Sequence, residues 1–458
     1  MTASPWALLD DTSTEPSQSE WLHDNLSRNA NASYLDQFGS PVTVHAFRSS
    51  VPTCCYEDLL PYLNRLSAGE SDVLFAGRPV AYERTGGSSG GAKLLPYSQE
   101  GLLDFQRCIV PWLARTVKDY GITGRAYFSI SPATRQPESV GSIPIGLPDA
   151  AYLGKRAGTV LAQQSAVPLS VANIHDVAQW RQQTIAHLKA ATDLELISVW
   201  SPTFLLRILD DIPDAQACWP KLKVISCWAS GSARRYAEQL KNQLPYVTIQ
   251  PKGLLSTEAV VTVPGDGGRP TLVRYGFVEF AQGADLLLED ELELGKEYEV
   301  VVTTASGLYR YRTGDRVEFQ GYVHSGRAIL EFVGRDALTS DLVGEKLTET
   351  FVSGCLESIR GFAMLVPDTS RPGYVLVSEQ MSSDVLLAMI ESGLMANPQY
   401  AYARKLGQIA PLRVISHTQA FSLVERAMLD RGTRLGDVKP LALRTESFWV
   451  PLFEECLP

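Results

Sequence analysis

From residue 56 onward the chain alternates two hydrophobic patterns. Leu102, Leu103, Ile109, Leu113 and Val117 recur at helical spacing on one face, with Ser98 placed to cap the helix and Gly121 to stop it. Pro111 lies inside that run and predicts a kink or a split into two helices, because proline has no N–H for the preceding turn. Short apolar runs at 127–131, 222–228, 247–250, 273–280 and 298–304 read as strands. This alternation predicts an α/β architecture in which β-sheets are covered by helices. The character changes near Asp336. The remainder, about 120 residues and close to a small domain in size, mixes helical stretches at 347–359 and 385–392 with strands at 373–378 and 412–416. The expected division is a large N-terminal domain, 1–336, and a small C-terminal α+β domain, 337–458. Residues 1–33, rich in Ser, Asn and Asp, read either as partly ordered or as a flexible tail.

Bulk composition narrows the function classes. A chain of 458 residues exceeds the usual size of one core. With 45% hydrophobic and 20% charged residues it has the make-up of an ordinary soluble protein. A net charge of -10 without a Lys/Arg cluster argues against a nucleic-acid surface. No apolar run is long enough to cross a bilayer, and the polar, acidic start lacks the apolar core of a signal peptide. The seven cysteines are odd in number and contain no C-x-x-C pair, so they read as reduced packing residues of a cytoplasmic protein.

Candidate chemistry lies in five places. Thr85-Gly86-Gly87-Ser88-Ser89-Gly90-Gly91-Ala92-Lys93 offers backbone N–H groups, hydroxyls and an ammonium for phosphate oxygens, or is a surface turn. It lacks the Gly-Lys-Ser/Thr ending of a Walker loop. Ser256-Thr257-Glu258 presents a hard oxygen ligand suited to Mg2+ between phosphates, or an ordinary surface acid. Gly307-Leu308-Tyr309-Arg310-Tyr311-Arg312-Thr313-Gly314-Asp315 ends in a carboxylate at a Thr-Gly turn, suited to gripping two vicinal ribose hydroxyls, although most such turns only join strands. Gly334-Arg335 offers a forked contact to ribose or phosphate, or a surface cation at a domain joint. Gly344-Glu345-Lys346 and Gly436-Asp437-Val438-Lys439 each hold a late lysine that would stabilise charge on a phosphate if brought to a site; most lysines are simply solvated.

Taken in order, these parts resemble adenylate-forming enzymes of the acyl-ligase superfamily, and within it the GH3 acyl acid amido synthetases. Residues 47–70, with Val51-Pro52, Tyr56-Glu57-Asp58 and Ser67-Ala68-Gly69-Glu70, resemble that branch's opening segment. Thr303-Thr304 through Gly314-Asp315 resembles its strand-and-turn signature, and Gly344-Glu345-Lys346-Leu347-Thr348-Glu349 its post-hinge motif. The similarity spans most of the chain from about residue 45. Three positions depart from the pattern: Gly86 for a second Ser, Leu254 for an adenine-stacking Tyr, and Ala337 beside Asp336 for a hinge Asp.

The resemblance implies a large adenylate-forming domain with a small lid, and two half-reactions. A small carboxylic acid attacks the α-phosphorus of ATP, and an amine, usually of an amino acid, then displaces AMP to give an amide. It assigns phosphates to Thr85, Gly87, Ser88, Ser89 and Gly90 with Lys93 and Thr257, Mg2+ to Glu258, the ribose to Asp315 with Arg335, and transition-state charge to Lys346 or Lys439. No covalent nucleophile is needed. For the acyl group, 127–131 and 142–146 are candidates, including Ser129 and Gly146, with Phe204 nearby and Trp200 the first choice because it precedes a Ser-Pro turn. Two other readings share these features: an acyl-CoA ligase or carrier-protein-loading enzyme, and a non-catalytic nucleotide-binding module.

Overall fold

The computed structural model describes residues 5–9, 15–85, 93–129, 138–147, 149–335, 338–381 and 383–456, with the backbone alone at 149–151. The N-terminal stretch is built into the fold. Helix α1, Gln18–Arg28, opens on a capping box of Ser17 and Glu20. Its Trp21, Leu22 and Leu26 are buried in the main core. Over 18–28 the chain is therefore not a flexible tail, because α1 supplies an apolar face that the sheet behind it needs.

Strands β1 (Ala81–Arg84) and β2 (Leu94–Tyr97) form an antiparallel hairpin. Helix α2 (Gln99–Asp119) follows, with the Ser98 hydroxyl accepting from Gly101 N–H as its cap. It runs unbroken through Pro111, so the expected split does not occur. One missing hydrogen bond is outweighed by a face that buries Cys108, Ile109, Trp112 and Leu113.

Two large sheets come next. Strands β3 (Arg125–Phe128), β4 (Leu194–Ser198), β5 (Val224–Cys227) and β6 (Thr248–Pro251) are parallel neighbours in that order. The near-continuous burial of the central pair, β4 and β5, is that of strands covered by helices on both faces. A seven-stranded sheet contains β7 (Phe277–Gln282), β8 (Glu297–Thr303), β9 (Tyr311–Tyr322) and β10 (Ala328–Arg335) as consecutive antiparallel neighbours. The N-terminal helices pack on it through Phe47, Tyr34 and Leu59.

From Leu338 the chain forms its own apolar cluster and a three-stranded sheet of β11 (Ala363–Asp368), β12 (Gly373–Ser378) and β13 (Arg413–Ser416). Helix α3 (Glu349–Cys355) precedes that sheet, and α4 (Asp384–Leu394) and α5 (Ala420–Asp430) pack around it. The expected boundary at Asp336-Ala337 lies outside the described residues. Among those residues no helix is long and apolar enough to cross a membrane.

Candidate active site

Asp315 does not sit at a hairpin turn, as its Thr-Gly setting suggested. It lies within β9, where the register slips: Val301 pairs with Arg312, yet Glu299 pairs with Arg316. Gly314 takes φ 75°, a conformation open to glycine, and the Thr313 hydroxyl accepts from Asp315 N–H at 3.1 Å. The result is a bulge, which re-aims a side chain without ending the strand. The Asp315 residue is 6% exposed, and among the described residues nothing donates a hydrogen bond to its carboxylate.

Arg335 is its partner across the β9–β10 pair. Arg335 Nε lies 3.2 Å from Asp315 Oδ1, and Nη2 donates to Thr313 O at 3.0 Å. The same Nη2 is 3.7 Å from Glu258 Oε1. Gly334 is required beside it: a Cβ there would stand 1.9 Å from Thr350 Oγ1 of α3. Glu258 occupies the tip of a tight hairpin closed by Ser256 N–H to Ala259 O at 3.0 Å. The Thr257 carbonyl, at the same tip, accepts from Tyr97 Oη at 3.1 Å.

The C-terminal portion contributes Lys439. Lys439 is exposed, yet its ammonium is close enough to the cluster to feel its charges. Burial lowers its pKa, Arg335 lowers it further, and Asp315, Glu258 and Asp437 act the other way. Burial likewise raises the Asp315 carboxyl, while the charges of Arg335 and Lys439 oppose that rise. The Arg335 guanidinium is held charged chiefly by Asp315. Two acids and two bases thus face one another, with the phenols of Tyr311 and Tyr97 pushed up chiefly by burial. Lys346 is elsewhere. It is exposed on a turn at φ 46°, and no contact joins it to the cluster.

Thr85 and Lys93 stand at the two ends of the loop between β1 and β2, with Thr85 N–H donating to Lys93 O at 2.8 Å. Lys93 Nζ reaches Tyr311 Oη at 3.4 Å, which puts it next to the cluster. Gly86, Gly87, Ser88, Ser89 and Gly90 lie outside the described residues. Leu254 packs into the main core and offers no open face for stacking.

Of the acyl-side candidates, Ser129 and Trp200 come together. Ser129 N–H donates to Ser198 O at 3.0 Å, and Trp200 follows the end of β4. Phe204 is buried against Trp180 in the core beside the parallel sheet. Gly146 belongs to a different sheet: its N–H donates to Tyr82 O of β1, and it lies against Arg434. Sequence reasoning missed Trp228 and Lys252, which surround Trp200. Both directly follow strand ends, and that placement is the signal that could have found them.

Models of the GH3 family match this chain twice, its N-terminal domain over residues 9–214 and its central domain over 270–335, together more than half of the chain. Among similar proteins, indole-3-acetic acid-amido synthetase GH3.15 of Arabidopsis thaliana is 23% identical over 84% of this chain and 81% of its own length. Jasmonoyl-L-amino acid synthetase GH3.5 of Oryza sativa subsp. japonica is 22% identical over 87% and 86%. A solved GH3.15 acyl acid amido synthetase superposes with a TM-score of 0.82 at 19% identity, covering 96% of this chain and 92% of that one. A 2-hydroxyisobutyryl-CoA ligase superposes less closely, with a TM-score of 0.57 at 11% identity over 90% of this chain and 91% of that one.

Proposed function

The chain belongs to the GH3 family, and we propose that it is an ATP-dependent ligase that joins a small carboxylic acid to the amine of an amino acid through an acyl-adenylate. The observation that carries this reading is the convergence of Glu258, Asp315, Arg335 and Lys439 on one place from four separate segments. Adenylation asks mainly for positioning and for charge neutralisation around the α-phosphorus. Asp315 has unengaged lone pairs for the two ribose hydroxyls, and Arg335, on the neighbouring strand, opposes the rise that burial imposes on that carboxyl. Lys439 supplies positive charge where the pentavalent phosphorus gathers negative charge. Lys93 and the β1–β2 loop take the terminal phosphates. A magnesium ion arriving with ATP supplies further charge neutralisation. Glu258, one hard oxygen donor on the cluster, suits an ion whose other ligands are phosphate and water. The portion from residue 337 acts as a lid that keeps water from the adenylate.

The test is ATP turnover with pooled small carboxylic acids, with and without pooled amino acids, following pyrophosphate, AMP and product mass. Carboxylate-dependent pyrophosphate together with a new amide mass is the expected result. Pyrophosphate without an amide would redirect the reading to a thiol or carrier acceptor. ATP binding without any release would overturn it in favour of a nucleotide-binding module.

A further inference from the structure

The parallel strands β3, β4, β5 and β6 finish along one edge of their sheet, and just past them stand Ser129, Trp200, Trp228 and Lys252. Open parallel sheets bind ligands at this edge, outside the carboxyl ends of the strands. Lys252 is the unusual member. It is 3% exposed, its ammonium lies 4.9 Å from the Trp112 ring centre and 4.8 Å from that of Trp200, and it donates to Ser198 Oγ at 2.7 Å. Among the described residues no carboxylate pairs with it. A lysine head this deep ordinarily has a counter-charge. Without one, burial pushes its pKa down to about 7, with Cys227 acting the other way.

The indoles link this cation to the reacting end of the site. Trp200 and Trp228 are half-buried and pack with ring centres 6.1 Å apart, and Lys439 Nζ lies 5.7 Å from the Trp228 centre. Two indoles, their planes inclined at 40°, therefore stand between the two lysines. Lys439 belongs to the phosphate cluster, so an acid poised to attack phosphorus has its reacting carboxylate at the Trp228 end. Lys252 meets whatever the acid carries at its other end.

We propose that the acid is a dicarboxylic acid, its carbon skeleton lying on Trp228 and Trp200 and its distal carboxylate taken by Lys252 and Ser198. This rests on the ligase reading, since it needs the reacting carboxylate to lie beside Lys439. Lys252 is here a specificity-determining residue, distant from the reacting phosphorus.

Calorimetric titration of the full chain, saturated with AMP, tests it with matched acids: adipate against hexanoate, and terephthalate against 4-methylbenzoate. One dicarboxylate is expected to bind at least about tenfold more tightly than its partner, the worth of a hydrogen-bonded charge contact. Lys252→Met should erase that preference while AMP affinity stays. Equal binding within both pairs, or a preference that survives Lys252→Met, would overturn the proposal. If Lys252→Met fails to fold, the wild-type comparison and Ser198→Ala, expected to weaken the preference severalfold, decide it. Pyrophosphate release separates the two readings. Release with monocarboxylates and no dicarboxylate preference keeps the ligase and removes this inference. A preference erased by Lys252→Met with no pyrophosphate from any acid supports Lys252 as the reader and counts against the ligase.

Discussion

Lys346 and Lys439 look alike in the sequence, each a late lysine behind a glycine and an acid, and the fold separates them. Both are exposed, but the Lys439 ammonium feels the charges of Asp315, Glu258 and Arg335, whereas Lys346 sits on a turn with no such neighbours among the described residues. Lys439→Ala is expected to lower acid-dependent pyrophosphate release by about a hundredfold, the usual loss for a charge-stabilising group, with Lys346→Ala within about twofold of the parent. Equal losses would mean that the cluster in this arrangement is not the adenylating one. The acids and Arg335 were legible because their chemistry is written in their residue types and order. Lys252 was not, because its burial depends on Trp112 and Trp200, which come from α2 and the end of β4. Its titration has a measurable consequence. In the unfolded chain this lysine keeps its proton to about pH 10.4, and in the folded chain only to about 7. Between those limits unfolding takes up a proton, so raising the pH stabilises the native state. Urea unfolding of wild type and Lys252→Met should therefore show the wild type gaining on the variant as pH rises through this window. Parallel pH profiles would remove the buried, unpaired cation from the account.

At the scale of elements, alternation of apolar and polar runs located three of the four parallel strands to within a few residues and missed β4. It could not foresee the bulge in β9, because the extra residues show only when β8 is laid beside it. Nor could it foresee how that bulge is anchored. Arg310, at φ 52°, donates from Nε and Nη2 to Glu279 of β7 at 2.8 and 2.9 Å, and from Nη1 to the carbonyls of Arg48 and Val51 at 2.7 Å each. Both side chains of the ion pair are buried. This fork ties the N-terminal helices to the strand that carries Asp315. Arg310→Met would leave Glu279 with only Arg48 as a charge partner, and should cost about 3 to 5 kcal/mol, read by chemical denaturation. A loss under about 1 kcal/mol, as for an exposed pair, would contradict that role.

For the whole molecule, Lys439 reaches its cluster only because the C-terminal portion is docked. Arg235 donates to the carbonyls of Leu356 and Ala363 at 3.1 and 2.8 Å, and Arg207 pairs with Glu379 at 2.8 Å. Tyr236 is buried in the apolar cluster of that portion. Arg235→Ala leaves two carbonyls without these donors, a penalty of about 1 to 3 kcal/mol on the docked arrangement. Solution scattering should then show a larger mean radius together with slower pyrophosphate release. An unchanged radius with normal release would show that docking does not depend on this contact. The sequence shows a change of pattern near residue 336, but the docking was not visible in it, since its partners are distant in the chain.

The central claim is that the acid's own oxygen attacks the α-phosphorus of ATP. Turnover with a carboxylic acid labelled in its carboxylate by heavy oxygen, followed by mass analysis of the nucleotide product, tests it most directly. The account predicts AMP carrying one heavy oxygen, formed together with the amide. Unlabelled AMP, or ADP in its place, would contradict it.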